Sequence, residues 1–123
     1  MKLRFRNNSV RLRLNRREVA DLASGAALKE QVEFPGSGDL SYVLEPSTRP
    51  SADASFRNGT IRVSAPQTLL TKWAAGDSIG MYFELPANET VLKIAIEKDL
   101  ECVDGALEER DPEAFPRISG KNC

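Results

Sequence analysis

The chain has 123 residues, 17 Lys+Arg against 18 Asp+Glu, and a formal net charge of -1. That length holds one domain, 41% hydrophobic residues supply a core, and the balanced charge argues against a protein that coats nucleic acid or forms a polyanionic tail. Histidine is absent, which removes Ser–His and Cys–His catalysis, histidine-ligated zinc and imidazole acid–base chemistry.

From the amino terminus, Met1-Lys2-Leu3-Arg4-Phe5-Arg6 alternates where a secretion signal would run apolar. No segment approaches the ~18 apolar residues of a membrane span. Leu3 and Phe5, then Val10, Leu12 and Leu14, fall on one face of two strands joined at Asn7-Asn8, where both residues tolerate the positive φ of a tight hairpin. A short helix follows. It opens at Asn15 with Glu18 three residues on, the pattern of a capping box, and closes at Gly25, with Val19, Leu22 and Ala23 as its apolar stripe. Leu28, Glu30, Val32 and Phe34 then share a strand face, and Leu40 to Glu45 forms a fourth strand beyond the Pro35–Asp39 loop.

The same grammar returns. Phe5-Arg6-Asn7-Asn8-Ser9-Val10-Arg11-Leu12 lines up with Phe56-Arg57-Asn58-Gly59-Thr60-Ile61-Arg62-Val63, and residues 1–35 align onto 52–86 without a gap. Ala54, Phe56, Ile61, Val63 and Ala65 repeat the apolar face. The second helix has Pro66 near its start, Gly76 at its end, and Leu70, Trp73 and Ala74 on its stripe. Ile79, Met81, Phe83 and Leu85 answer the third strand; Leu92 to Glu97 answers the fourth, after one extra loop residue. The unit of about fifty residues reads strand, strand, helix, strand, strand. Helices of two to three turns are unstable alone and must dock on the sheet. A single domain is expected, with unit one at 1–46, unit two at 52–98, a Pro- and Ser-rich linker between them, and an acidic C-terminal arm at 99–123. The fold class is α+β, mostly antiparallel β. Eight antiparallel strands and two helices about a pseudo-two-fold axis predict a closed or nearly closed barrel, since closure removes exposed edges; two packed four-stranded sheets are the alternative.

Met1-Lys2-Leu3-Arg4, the Asn8 to Leu14 run, and Ile96-Glu97-Lys98-Asp99-Leu100-Glu101-Cys102 together resemble a family of short bacterial proteins of unknown function. The tail of that family looks like Glu-Lys-Asp-Phe-x-Cys, then an acidic stretch, a Phe/Tyr-Pro pair and a terminal Cys. Here these are Glu97-Lys98-Asp99, Cys102, Glu108 to Glu113, Phe115-Pro116 and Cys123, with Leu100 for the usual Phe and Arg117-Ile118 where Asn-Pro is common. The resemblance implies a bacterial, cytoplasmic protein and carries no catalytic residue across.

Four groups of residues are candidates for function. Arg4, Arg6, Arg11 and Arg13 occupy the strand face opposite Leu3, Phe5, Val10 and Leu12, and a row of guanidiniums suits phosphates or carboxylates. The competing reading is internal pairing, with the acidic arm or with Glu33 and Glu45 on neighbouring strands. Cys102 and Cys123 could hold a metal with carboxylates such as Asp99, Asp104 or Asp111, could form a redox clasp, or could be a buried small residue and an incidental terminal thiol. Glu30 breaks an apolar face where unit two has Met81; it is a candidate acid or base, or a strand-end residue reaching water. Trp73 takes the place of Leu22 on the helix stripe and reads as core.

Two hypotheses are set aside. Nucleic-acid binding would want aromatic stacking partners, and the arginine face has none of its own in unit one. A charge-lined barrel like those of triphosphate-tunnel enzymes would turn Leu3, Phe5, Val10, Leu12, Leu14, Val32 and Phe34 outward, more surface than two short helices cover. The sequence therefore predicts a non-enzymatic binding module, without cofactor, for a protein partner or small anionic ligand at the arginine row. The alternatives are metal or thiol-redox work at the two cysteines and a carboxylate-dependent enzyme. An open sheet edge would offer a route to a homodimer.

Overall fold

In the computed structural model, which describes residues 1–100 and Glu113, ten elements follow in the expected order. They are β1 (Lys2–Arg6), β2 (Ser9–Leu14), α1 (Arg16–Ala23), β3 (Leu28–Glu33), β4 (Asp39–Ser47), β5 (Asp53–Arg57), β6 (Thr60–Pro66), α2 (Gln67–Ala75), β7 (Gly80–Ala87) and β8 (Thr90–Lys98). The hairpin turns follow the sequence except at Asn8, which does not join Asn7 at positive φ. Asn7 and Asn58 both take φ 51, and Gly59 joins Asn58 in the left-handed region at φ 72.

The strands do not close into a barrel. They form two four-stranded sheets, ordered β1-β2-β8-β7 and β3-β4-β6-β5. We call these the first and second sheets. Nor are the pairings all antiparallel: β2 runs parallel to β8, and β4 parallel to β6. The cause is the path of the chain. Each central strand pairs with a hairpin from the other half of the sequence, and parallel neighbours need a crossover rather than a tight turn. For β4 and β6 the crossover is the 48–52 linker plus β5. For β2 and β8 it is most of the chain. Each sheet therefore combines strands from both halves, and none of the described ladders joins the sheets.

Central strands and helices carry the core. Val10, Leu12 and Leu14 of β2, Ile94 and Ile96 of β8, Leu44 of β4, and Val63 and Ala65 of β6 are buried together with Val19, Leu22, Leu70 and Trp73 of the helices. Burying each large aliphatic side chain stabilises the fold by roughly 1.5–3 kcal/mol. The edge strands contribute less than alternation suggested. Phe5 on β1 and Phe56 on β5 are 57% and 69% exposed, and Val32, Phe34 and Ile79 are exposed as well. Alternation reports which face a residue is on, and an edge strand of an open sheet has no neighbour to cover that face on one side.

Both helices are held at their ends. The Asn15 side chain accepts from Glu18 N at 2.9 Å, and Asn15 N donates to Glu18 Oε1 at 3.0 Å, so the expected capping box forms. Beyond Ser24, Gly25 takes φ 100. No side chain caps Pro66 at the start of α2. Instead Gln67 Nε2 donates to Leu22 O and Ala23 O, at 3.3 and 3.2 Å, joining the start of α2 to the end of α1. Gly76 at the end of α2 is extended, with φ -97 and ψ -173, and its carbonyl accepts from Lys98 Nζ at 2.9 Å. Trp73 is core, as the stripe implied: it is buried, its Nε1 donates to Ile79 O at 3.2 Å, and Lys98 Nζ lies 5.6 Å from its ring centre. No helix among the described residues is long and apolar enough to cross a membrane.

Candidate functional site

The register of the first sheet assembles the arginine row. Arg4 lies opposite Arg11, Lys2 opposite Arg13 and Arg6 opposite Ser9 across β1 and β2. The parallel ladder then sets Arg11 beside Ala95 and Arg13 beside Glu97, and β7 adds Tyr82 beside Ala95 and Gly80 beside Glu97. Because directly paired residues share a face, all of these project from the outer side of the sheet, away from Leu12 and Ile96.

Glu97 is the hub of this face. It is 8% exposed, and its Oε1 lies 3.2 Å from Arg11 Nε and 3.6 Å from Arg13 Nε. Its Oε2 accepts from the Tyr82 hydroxyl at 2.8 Å. Gly80 makes room for that contact: a Cβ there would sit 2.7 Å from the Tyr82 hydroxyl and 2.9 Å from Glu97 Cγ. A buried carboxylate this well surrounded fixes the two guanidiniums in place, with the hydrogen bonds that a desolvated charge requires.

Arg4 and Arg6 differ from Arg11 and Arg13. They are exposed on the edge strand and make no ion pair among the described residues. Lys93, on the same face of β8 beside Ser9, is likewise exposed and unpaired among the described residues. At the corner of the face, Lys2 Nζ meets Asp99 Oδ2 at 2.7 Å.

Internal pairing is thus real for Arg11 and Arg13 through Glu97, a partner the sequence did not single out, while most of the acidic arm lies outside the described residues. Glu33 and Glu45 are not on neighbouring strands; they lie in the second sheet, where Glu45 Oε2 takes Arg62 Nη1 at 3.0 Å. Tyr82 also brings to the face an aromatic that β1 and β2 lack. It is 63% exposed. Glu97 and Tyr82 were missed because they join the arginines only through the β2–β8 pairing, which no local pattern announces. The outward position of Tyr82, between inward Met81 and Phe83, was the one available signal.

Glu30 belongs to another cluster. The Met1 ammonium donates to Glu30 Oε1 at 3.1 Å and to Glu18 Oε2, while the Tyr42 hydroxyl donates to Met1 O at 3.0 Å. Burial alone would lower the pKa of the ammonium, but hydrogen bonds and charge from Glu18 and Glu30 outweigh it, and the pKa is raised. Burial, then the charges of Glu30 and Glu18, raise the pKa of Tyr42. Glu30 is partly exposed and works as half of a carboxylate clasp that ties the head of β1 to α1 and the second sheet. The cysteine candidates, Cys102 and Cys123, lie outside the described residues.

No curated protein and no solved structure matches the chain. A family model matches residues 1–118. On that match, the chain belongs to the family of unknown function DUF7009.

Proposed function

We propose that this protein is a non-enzymatic binding module whose outer first-sheet face takes an acidic segment of a partner protein. The observation that carries the reading is the contrast along the arginine row. Arg11 and Arg13 are oriented by buried Glu97, while Arg4 and Arg6 stand exposed and unpaired among the described residues. A flat array favours an extended, multiply charged chain over a single phosphate. Successive arginines on one strand face are about 7 Å apart, and cross-strand partners about 5 Å. One exposed aromatic, Tyr82, is too little for a stacking surface of the kind single-stranded nucleic acid uses.

The scaffold behind the face reads as a duplicated unit. Supporting this, aligned residues hold equivalent ladder positions: Arg11 pairs with Ala95 in the first sheet as Arg62 pairs with Val43 in the second. The basic excess is nevertheless confined to one sheet, since Ser55 and Ser64 stand where unit one has Arg4 and Arg13. The likeness of the strands and tail to short bacterial proteins supports a bacterial, cytoplasmic setting.

Binding of a labelled peptide of alternating Glu and Gly, followed by fluorescence anisotropy at low salt, tests the reading. The double variant Arg4→Glu/Arg6→Glu should weaken binding about tenfold or more, as expected for reversing two exposed partners worth up to about 1 kcal/mol each. Equal binding by the variant and the wild type would refute it.

A further inference from the structure

β1 borders β2 alone, and no described strand pairs with its far side. Arg6 and Ser9 close a two-residue hairpin at Asn7-Asn8. Arg6, Arg4 and Lys2 therefore turn their backbone groups towards β2, while the N–H and C=O of Leu3 and Phe5 point to the open edge. The side chains divide by face. Lys2, Arg4 and Arg6 lie on the outer side and Leu3 and Phe5 on the inner side. Phe5 heads the inner row Phe5–Val10–Ile94–Phe83. Val10 and Ile94 in that row are buried, yet Phe5 is 57% exposed.

We infer that β1 is a strand-addition edge, and that the partner segment joins the four-stranded first sheet there as a strand of alternating acidic and apolar residues. The inference rests on the binding reading above and specifies the partner's sequence pattern. Residues of an added strand opposite Arg4 and Arg6 share the outer face, so these are the acids, two positions and about 7 Å apart. The residues between them share the inner face with Leu3 and Phe5, so apolar side chains there continue the core row and cover the Phe5 ring. Backbone pairing supplies affinity and alternate side chains supply selectivity.

Charge singles out this edge. A carboxylate already sits on the first cation of the row, where Lys2 Nζ meets Asp99 Oδ2 at 2.7 Å. The next two, Arg4 and Arg6, are exposed and make no ion pair among the described residues. On their outer faces β3 and β5 mix signs, Lys29 with Glu33 and Asp53 with Arg57, and the one charge on β7 is Glu84. A second copy of the chain cannot supply the strand from its own β1, because like charges would then face each other.

The test compares two peptides of equal length and charge, one alternating Glu and Val and the other Glu and Gly, by fluorescence anisotropy with the full chain at low salt. Covering the Phe5 ring and pairing the backbone of Leu3 and Phe5 should make the Glu-Val peptide bind about tenfold more tightly. Phe5→Thr, which retains strand propensity, should erase that advantage and leave Glu-Gly binding as it was. N-methylation of the peptide gives a readout that side-chain contacts do not mimic. A strand bonds its neighbour through alternate residues, so methylating one set of nitrogens, Val or Glu, should abolish the advantage while methylating the other set leaves it. Equal affinities of the two peptides, with Arg4→Glu/Arg6→Glu still weakening both, would overturn strand addition while sparing the arginine face. So would an advantage that survives Phe5→Thr or survives methylation of either set. Peptide binding indifferent to Arg4→Glu/Arg6→Glu would overturn the face itself.

Discussion

Glu97 of β8 accepts Arg11 of β2 at 3.2 Å while being 8% exposed itself, so strands from opposite ends of the sequence are joined by a charge pair as well as a parallel ladder. Glu97→Gln keeps the shape and the contact with the Tyr82 hydroxyl but removes the negative charge that Arg11 and Arg13 share. Loss of a charged hydrogen-bond partner of this kind costs about 1–3 kcal/mol. Urea unfolding should show a lower midpoint with an unchanged slope. An unchanged midpoint would mean that Glu97 is energetically idle.

Gly80→Ala should destabilise the fold by about 1–3 kcal/mol, because its Cβ would collide with the Tyr82 hydroxyl and Glu97 Cγ. The cost should shrink in a Tyr82→Ala background, where part of the clash has gone. A double-mutant cycle by thermal unfolding checks this; additive effects would contradict the crowding account.

Much of this molecule was legible in its residues. Asn15 and Glu18 announced the capping box, Asn7 and Asn58 the hairpin turns, and alternation placed Leu12, Leu14, Val63 and Ala65 in the core. What could not be read was pairing between distant strands. Closure and all-antiparallel ladders were the economical expectation. The structure instead exchanges hairpins between two sheets, leaving Phe5 and Phe56 on open edges. The arginine row itself was visible because strand periodicity is local. Its anchor was not, because Glu97 meets Arg11 and Arg13 only after β8 docks beside β2.

Stability should fall as pH rises above neutrality. The pKa of the Met1 ammonium is raised in the folded state, so its contribution is complete below its unfolded value near 8.0 and lost as pH climbs through the folded value. The raised pKa of Tyr42 acts in the same direction above its ordinary 10.0. Melting temperatures should therefore decline from about pH 8 upward. Glu30→Gln, which removes one carboxylate from the ammonium, should flatten the first part of that decline. A pH profile identical to wild type would contradict the clasp.

Leu70→Ala tests where the core sits. Leu70 is fully buried on α2, which packs on α1 and on the central strands β4 and β6 of the second sheet. Its truncation should cost about 2–5 kcal/mol. Phe56→Ala, on an exposed edge, should cost far less. Equal losses in chemical denaturation would place the core elsewhere.

The most direct test of the binding account is to map the site rather than measure its strength. Amide chemical shifts of the isotope-labelled full-length protein would be followed during titration with the Glu-Gly peptide at low salt. The account predicts saturable shifts concentrated on β1 and β2 around Arg4, Arg6 and Arg11, reversed by added salt. Shifts centred on the second sheet, or none at concentrations where anisotropy reports binding, would contradict it.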